Sequence, residues 1–321
     1  MIQKIAGSLI VAIAAMLIYP GCASADGKYR EPQIDSAFWD FWGDGKAELA
    51  AYDLTFSRYG ETREGVAVTI FVTETFSNRK RVKSDPGKNP ASDEFPVMKL
   101  NLIQDFPTGI YDYNLMTSVF VALQPVNGRL NGTPAKVSYS SQEWCGQVYQ
   151  QVLFDANKMR INAHSYFDGE ADSESTEKYP ANGFTEDALL HWARGLAAPI
   201  VAPGESVEAQ FFDSLEFSRL RHQAPAWRKA TLQRSATTEN LSTPAGDFEA
   251  QLAEVKIEGG RHWKFYVEKN PPQRIIKWEA DDGRSATLLG SKRLEYWRMN
   301  KGEFDDAVRE LGLTPRGKQM P

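Results

Sequence analysis

Residues 244–290 read PAGDFEAQLAEVKIEGGRHWKFYVEKNPPQRIIKWEADDGRSATLLG, and their punctuation decides the fold. Runs over 246–257, 261–269 and 273–280 mix apolar and polar residues, with Trp263, Phe265, Val267, Ile275 and Trp278 among them. Between them stand Glu258-Gly259-Gly260 and Asn270-Pro271-Pro272, and Asp281-Asp282-Gly283 introduces a fourth run at 284–290. Short runs rich in β-branched and aromatic residues, broken by Gly, Pro and Asp every 10–12 residues or so, predict an antiparallel meander rather than βαβ units.

The rest of the chain repeats the style. Upstream of Pro244-Ala245-Gly246 lie candidate strands at 207–219 and 226–236, and downstream one at 292–299. In the first half, Val66, Val68, Ile70 and Val72 alternate with Ala67, Thr69, Phe71 and Thr73. Met98, Leu100 and Leu102 alternate likewise, and Tyr111, Tyr113, Leu115, Val119 and Val121 share a face. Further candidates are 46–56, 134–141, 143–154 and 158–167. Two helices are expected. In 185–197, Thr185 can cap and Leu189, Trp192, Ala193 and Leu196 form one apolar face. In 303–311, Phe304, Ala307, Val308 and Leu311 share a face and Gly312 is the C-cap. Residues 83–95 and 168–183 read as polar loops. The expected fold is mainly β: about a dozen antiparallel strands in an open or curled barrel, or in two linked curved sheets. The 185–197 helix would pack on or plug one opening.

The N-terminus predicts export. Lys4 is the lone charge of residues 1–25, and the apolar run Ile5 to Tyr19 is too short to span a bilayer, which takes about 20 residues. Two processing routes stay open. Ala23-Ser24-Ala25 fits ordinary signal peptidase, with cleavage after Ala25. Gly21-Cys22-Ala23 resembles the end of a lipobox, with cleavage before Cys22 and lipidation of its sulfur, although Tyr19 and Pro20 depart from the usual pattern. Either route leaves Cys145 without an intramolecular partner, because Cys22 is the other cysteine of the chain. The expectation is therefore a disulfide-free domain over 26–321, periplasmic or anchored to the outer membrane. It reads as a single β-rich domain, with two β lobes at about 30–167 and 200–300 as the alternative.

The net charge of −5 without basic runs argues against a nucleic-acid partner. Membrane contact is expected only through a lipid anchor, because no second long apolar stretch occurs. HExxH, GxSxG, GxxxxGK[ST] and CxxC motifs are missing. The four histidines, His164, His191, His222 and His262, are scattered, so neither a metal nor another cofactor is expected. Asp168, Glu170, Asp172 and Glu174 alternate as calcium ligands do, but Ser173 stands where an EF-hand needs glycine; a solvated acidic loop is the reading.

The most unusual stretch is 138–151, SYSSQEWCGQVYQQ. Read as a strand, it carries polar groups on both faces. Gln142, Glu143, Trp144, Cys145, Gln147 and Tyr149 are the candidate ligand-binding residues, since pockets combine apolar walls with a few orienting polar groups. Gly146 would permit close approach of a backbone or ligand. Glu143 beside Cys145 would raise the thiol pKa, which argues for a structural cysteine and against a nucleophile. No catalytic residue is assigned. The aromatic clusters Phe38-Trp39-Asp40-Phe41-Trp42 and Tyr296-Trp297 read as packing, with a platform for sugar or lipid as the alternative.

Three strings, FWGDGKAEL (41–49), RYGETREGVAV (58–68) and SSQEWCGQVYQQ (140–151), resemble an uncharacterised family of exported bacterial proteins often labelled "septum formation inhibitor Maf". True Maf proteins are cytoplasmic nucleotide pyrophosphatases of α/β fold, so no residue is carried over from them. Residues 244–298 are also similar in style to the lipoprotein carriers LolA and LolB. That resemblance implies a half-open barrel with helices plugging an apolar interior. Three functions follow as expectations: a non-enzymatic envelope protein binding a lipid or amphipathic ligand, a structural or protein-interaction lipoprotein, and an envelope glycan hydrolase or transferase.

Overall fold

The computed structural model describes residues 30–315; the expected signal segment and Cys22 lie outside them. The fold is mainly β, with 54% of residues in strands and 13% helical. In chain order the elements begin with α1 (Ser36–Trp42), β1 (Ala47–Arg58), β2 (Glu61–Ser77), β3 (Val82–Lys83), β4 (Glu94–Thr108) and β5 (Tyr111–Ala122). Next come β6 (Pro134–Glu143), β7 (Gly146–Phe154), β8 (Lys158–Ser165), β9 (Ser173–Lys178), β10 (Gly183–Thr185) and α2 (Leu189–Ala193). β11 (Ser206–Phe212), α3 (Leu215–Leu220), β12 (Trp227–Thr243), β13 (Gly246–Ile257), β14 (His262–Glu268), β15 (Ile275–Ala280) and β16 (Ser285–Leu294) complete the series.

Among the described residues all sixteen strands belong to one sheet, in the order β10-β11-β12-β13-β14-β15-β16-β1-β2-β4-β5-β6-β7-β8-β9, with β3 beside β2. The halves join where β1 pairs with β16, from Ala47 opposite Leu294 to Thr55 opposite Ser285. Every pairing is antiparallel except β10 with β11. The sheet does not close into a barrel. Its two edge strands, β9 and β10, are nonetheless consecutive in the chain. Tyr179 lies in the link between them, donates its hydroxyl to the Gly183 carbonyl at 2.8 Å, and packs on Phe154 and Trp227.

A single large core draws on both halves, including Leu54, Phe71, Leu115, Val137, Leu232, Phe265 and Leu288. Its centre is residues 188–197, where Leu189, Leu190, His191, Trp192 and Ala193 are all buried. Trp192 donates Nε1–H to the Pro199 carbonyl at 2.9 Å, and neutral His191 donates from Nε2 to the Met98 carbonyl at 3.1 Å. Arg194 forks onto Glu48 at 2.5 and 3.2 Å. These bonds pair most of the segment's buried side-chain polar groups, leaving His191 Nδ1 and Arg194 Nε without a partner, and let it occupy the interior of a curled sheet. On the outer face, a 3-10 helix, Gly302–Leu311, brings Leu311 onto Leu49, Ile70 and Val72.

Several elements differ from expectation, for local reasons. The helix expected over 185–197 is a 3-10 turn, Glu186–Ala188, followed by the short α2, and Thr185 does not cap it. The 303–311 helix has 3-10 geometry, with Gly312 left-handed (φ 76°) at its C-cap. The strand expected at 207–219 stops at Phe212, because Ser214 accepts the Phe217 N–H and starts α3. Likewise Asp35 accepts the Phe38 N–H, so the aromatic cluster at 38–42 is helical. The expected loop 168–183 contains β9, whose polar residues suit an exposed edge strand. The two strands expected at 284–299 are one, β16, followed by a 3-10 turn at Tyr296–Arg298.

Trp192 is 1% exposed at the centre of the interior. Trp192→Ala should lower the unfolding free energy by about 3–5 kcal/mol, read by urea denaturation. A loss near zero would mean that the segment does not hold the core.

Candidate functional site

Two places gather polar side chains. The first is interior, beneath α3. Arg261 donates from Nε to Glu186 Oε1 at 2.8 Å and from Nη2 to Ser214 Oγ at 2.9 Å. Glu186 also accepts from Trp263 Nε1 (2.7 Å) and the Ser214 N–H (3.0 Å). Arg284 donates to Glu216 at 2.5 Å and to Asp282 at 2.9 and 3.0 Å, and Gln104 donates to Glu216 at 2.7 Å. Side-chain exposure of Glu186, Glu216, Arg261 and Arg284 is 8% or less. The void they line is about 60 Å³, enough for a few waters at most. The acids are committed to arginines, backbone N–H groups and Gln104, so the arrangement serves to fasten α3 rather than to bind a substrate.

Asp187 is the exception in that lattice. Burial, reinforced by the charge of Glu186, pushes its carboxyl up to about 7. Burial alone would also raise Glu186, but Arg261 and the hydrogen bonds to it hold it below its ordinary value. His191 is moved the other way: burial pushes its imidazole down to about 3.

The second place is the outer face of β4 to β8. Alternation turns Glu143 and Val148 inward and Gln142, Gln147 and Tyr149 outward. Strand register then assembles two rows. Asp105 lies opposite Asn114, Asn114 opposite Gln142, and Gln142 opposite Gln147. Beside that row run Ile103, Met116, Ser140, Tyr149 and His164, each opposite the next. Neighbours in each row stand about 4.7–4.9 Å apart, one strand spacing. The rows floor a groove of about 690 Å³, with Tyr166 and Asp172 on its rim. His164 Nδ1 is 3.3 Å from Asp172.

The six sequence candidates therefore divide. Gln142, Gln147 and Tyr149 face the groove. Glu143 is buried, 3.6 Å from Arg219 of α3. Trp144 and Cys145 form the two-residue turn between β6 and β7, so the strand expected over 143–154 begins only at Gly146. Both are exposed; Trp144 lies 6.2 Å from the Tyr111 ring, and Cys145 is a free thiol. Gly146 does permit a close approach, by the Tyr166 ring: a Cβ there would meet that ring at 2.5 Å. Asp105, Asn114, Met116 and His164 were missed because register, not local pattern, brings them to the groove. Among the described residues no group of three or more His, Cys, Asp or Glu could hold a metal ion. In the acidic loop, Glu170 pairs with His222 at 2.6 Å.

Compared with known proteins, the chain matches no family model, no curated protein and no solved structure.

Asp187 binds its proton more tightly folded than unfolded (about 7 against 3.8), so its stabilising contribution is complete below about pH 4 and lost as pH rises towards 7. The contribution of His191 runs oppositely, complete above about pH 6.5 and lost on acidification. Comparing Asp187→Asn with wild type cancels His191. The variant-minus-wild-type difference in unfolding free energy should climb between pH 4 and 7 by roughly 2 kcal/mol or more and then level off. A difference independent of pH in urea titrations would show that Asp187 ionises normally.

Proposed function

We propose that this chain is a non-enzymatic protein of the bacterial cell envelope that binds a hydroxyl-rich, amphipathic ligand, a neutral glycan segment, in the groove across β4 to β8. One observation carries the reading: the two cross-strand rows, which set amide, hydroxyl and carboxylate groups beside Tyr149 and Met116. Amides donate and accept at once, as a sugar hydroxyl does. The aromatic ring offers a flat face to the apolar side of a sugar ring. Asp105 and Asp172 disfavour an anionic ligand there. The groove volume falls within the usual range for ligand sites, about 300–1,000 Å³, whereas the interior void under α3 is about 60 Å³.

Export is part of the proposal and rests on the signal-like residues 1–25. In the lipoprotein form, acylated Cys22 tethers the domain to the outer membrane and the groove meets glycans of the envelope.

The test is binding of neutral cell-wall and lipopolysaccharide-core oligosaccharides by isothermal titration. Gln147→Ala and Tyr149→Ala should each weaken binding by about five- to thirtyfold, because each truncation removes a contact worth about 1–2 kcal/mol. Both side chains are exposed, so the melting temperature should hold. If no neutral oligosaccharide binds, the reading fails and a structural or protein-interaction role takes its place. The intact mass of protein taken from its own host shows whether Cys22 is acylated.

A further inference from the structure

A cleft of about 160 Å³ lies between the β1–β2 turn and the end of α3, with three arginines and one carboxylate on its wall: Arg58, Arg221, Arg284 and Asp282. In a chain of net charge −5 that is a local reversal of sign. We infer that this cleft is a second binding site, separate from the groove, and that it takes a phosphate group recognised by Arg58, Arg221 and Arg284.

The charge balance carries the argument. Asp282 is already bonded to Arg284 Nε at 2.9 and 3.0 Å. Arg284 Nη1 goes to Glu216, which leaves Nη2 uncommitted. Arg58 has no carboxylate partner. It donates from Nη1 to the Leu220 carbonyl (2.8 Å) and from Nη2 to the Tyr113 hydroxyl (3.1 Å), while its Nε is buried without any partner. Arg221 is exposed, makes no ion pair, and lies over the Phe217 ring at 4.9 Å. Arg58 and Arg221, which lack carboxylate partners, offer their guanidinium groups to phosphate oxygens, and Arg284, already paired with Asp282 and Glu216, adds its remaining Nη2.

The cleft is also rigidly built. Tyr59 (φ 56°) and Gly60 (φ 77°) are both left-handed, as a two-residue type I′ hairpin turn requires. That turn fixes Arg58, and Tyr59 Oη is held by Tyr113 Oη at 2.6 Å. The opposite wall, α3, is fixed by Ser214 at its start and by Glu216 and Arg219 along it. A cleft of about 160 Å³ has room for a phosphate-sized group. The phosphate can belong to a soluble phosphate ester or to a lipid headgroup presented at a membrane surface.

The test uses the full mature chain. Inorganic phosphate and glycerol 3-phosphate are titrated calorimetrically, and vesicles of phosphatidylglycerol or phosphatidylcholine are tested by flotation. Saturable phosphate binding is expected, at least tenfold weaker in Arg221→Ala, whose melting temperature should match wild type. Arg58→Lys keeps the charge but loses the fork, and should also weaken binding. Binding of the soluble probes without vesicle binding assigns a soluble ester. Flotation with phosphatidylglycerol alone, competed by glycerol 3-phosphate, assigns a headgroup. The inference is overturned if wild type binds neither soluble probe nor vesicle, or if Arg221→Ala binds as wild type does.

Discussion

Arg261 is the tie on which the mouth of the curled sheet depends. From the turn just before β14 it reaches Glu186, on the turn that enters the interior, and Ser214, which starts α3. Both segments are too short to be stable helices alone. Their ends leave N–H groups that a buried position cannot leave unpaired. Glu186 accepts the Ser214 N–H, Asp187 accepts the Leu215 N–H, and Ser214 Oγ accepts the Phe217 N–H. Once those acids are buried, Arg261 and Arg284 must be buried with them, because an unpaired carboxylate there would cost several kcal/mol. The lattice follows from closing a wide sheet with short pieces of irregular chain.

A filled interior leaves the outer face as the place where the proposed ligand would bind. Residues 188–197 pack the centre, and α3 covers the mouth. On the outer face the covering is partial. The 3-10 helix at 302–311 shields β1 and β2, while β5 to β7 present Asn114, Gln142, Gln147 and Tyr149. Antiparallel sheets commonly keep one face solvated with polar residues. Here the polar residues fall in adjacent register and in a concavity, which a merely solvated face does not require.

Much of the fold was legible in the sequence because period-2 alternation and turn residues are local signals. The strands around Val66–Val72 and the meander from Gly246 to Gly290 follow from them. The short helices were less legible. Ser214 changes strand into helix within a run that still alternates, and Asp35 does the same ahead of an aromatic cluster. Of the groove, 138–151 announced itself through Gln142, Gln147 and Tyr149. Asp105, Asn114 and His164 did not, since each is unremarkable within its own strand and only pairing sets it beside the others. Trp144 and Cys145 are hard to place for a related reason: a two-residue turn followed by glycine carries the same local pattern as continuous strand. The buried lattice was the least legible, because Glu186, Asp187 and Glu216 carry no mark of burial except apolar neighbours.

The groove and the mouth are physically one assembly. Tyr166, on the groove rim, lies over Gly146, where no side chain but hydrogen would fit. The next residue, Phe167, lies 3.8 Å beneath the Arg219 guanidinium, and Glu170 approaches the same arginine at 3.6 Å. Arg219 also approaches Glu143, which ends β6 just before the turn. Thus α3 grips the loop that walls the groove and the hairpin that floors it, while Arg58 holds its last carbonyl. α3 is thus the short element that lines the Arg58 cleft and, through Arg219, also touches the loop and the hairpin of the groove.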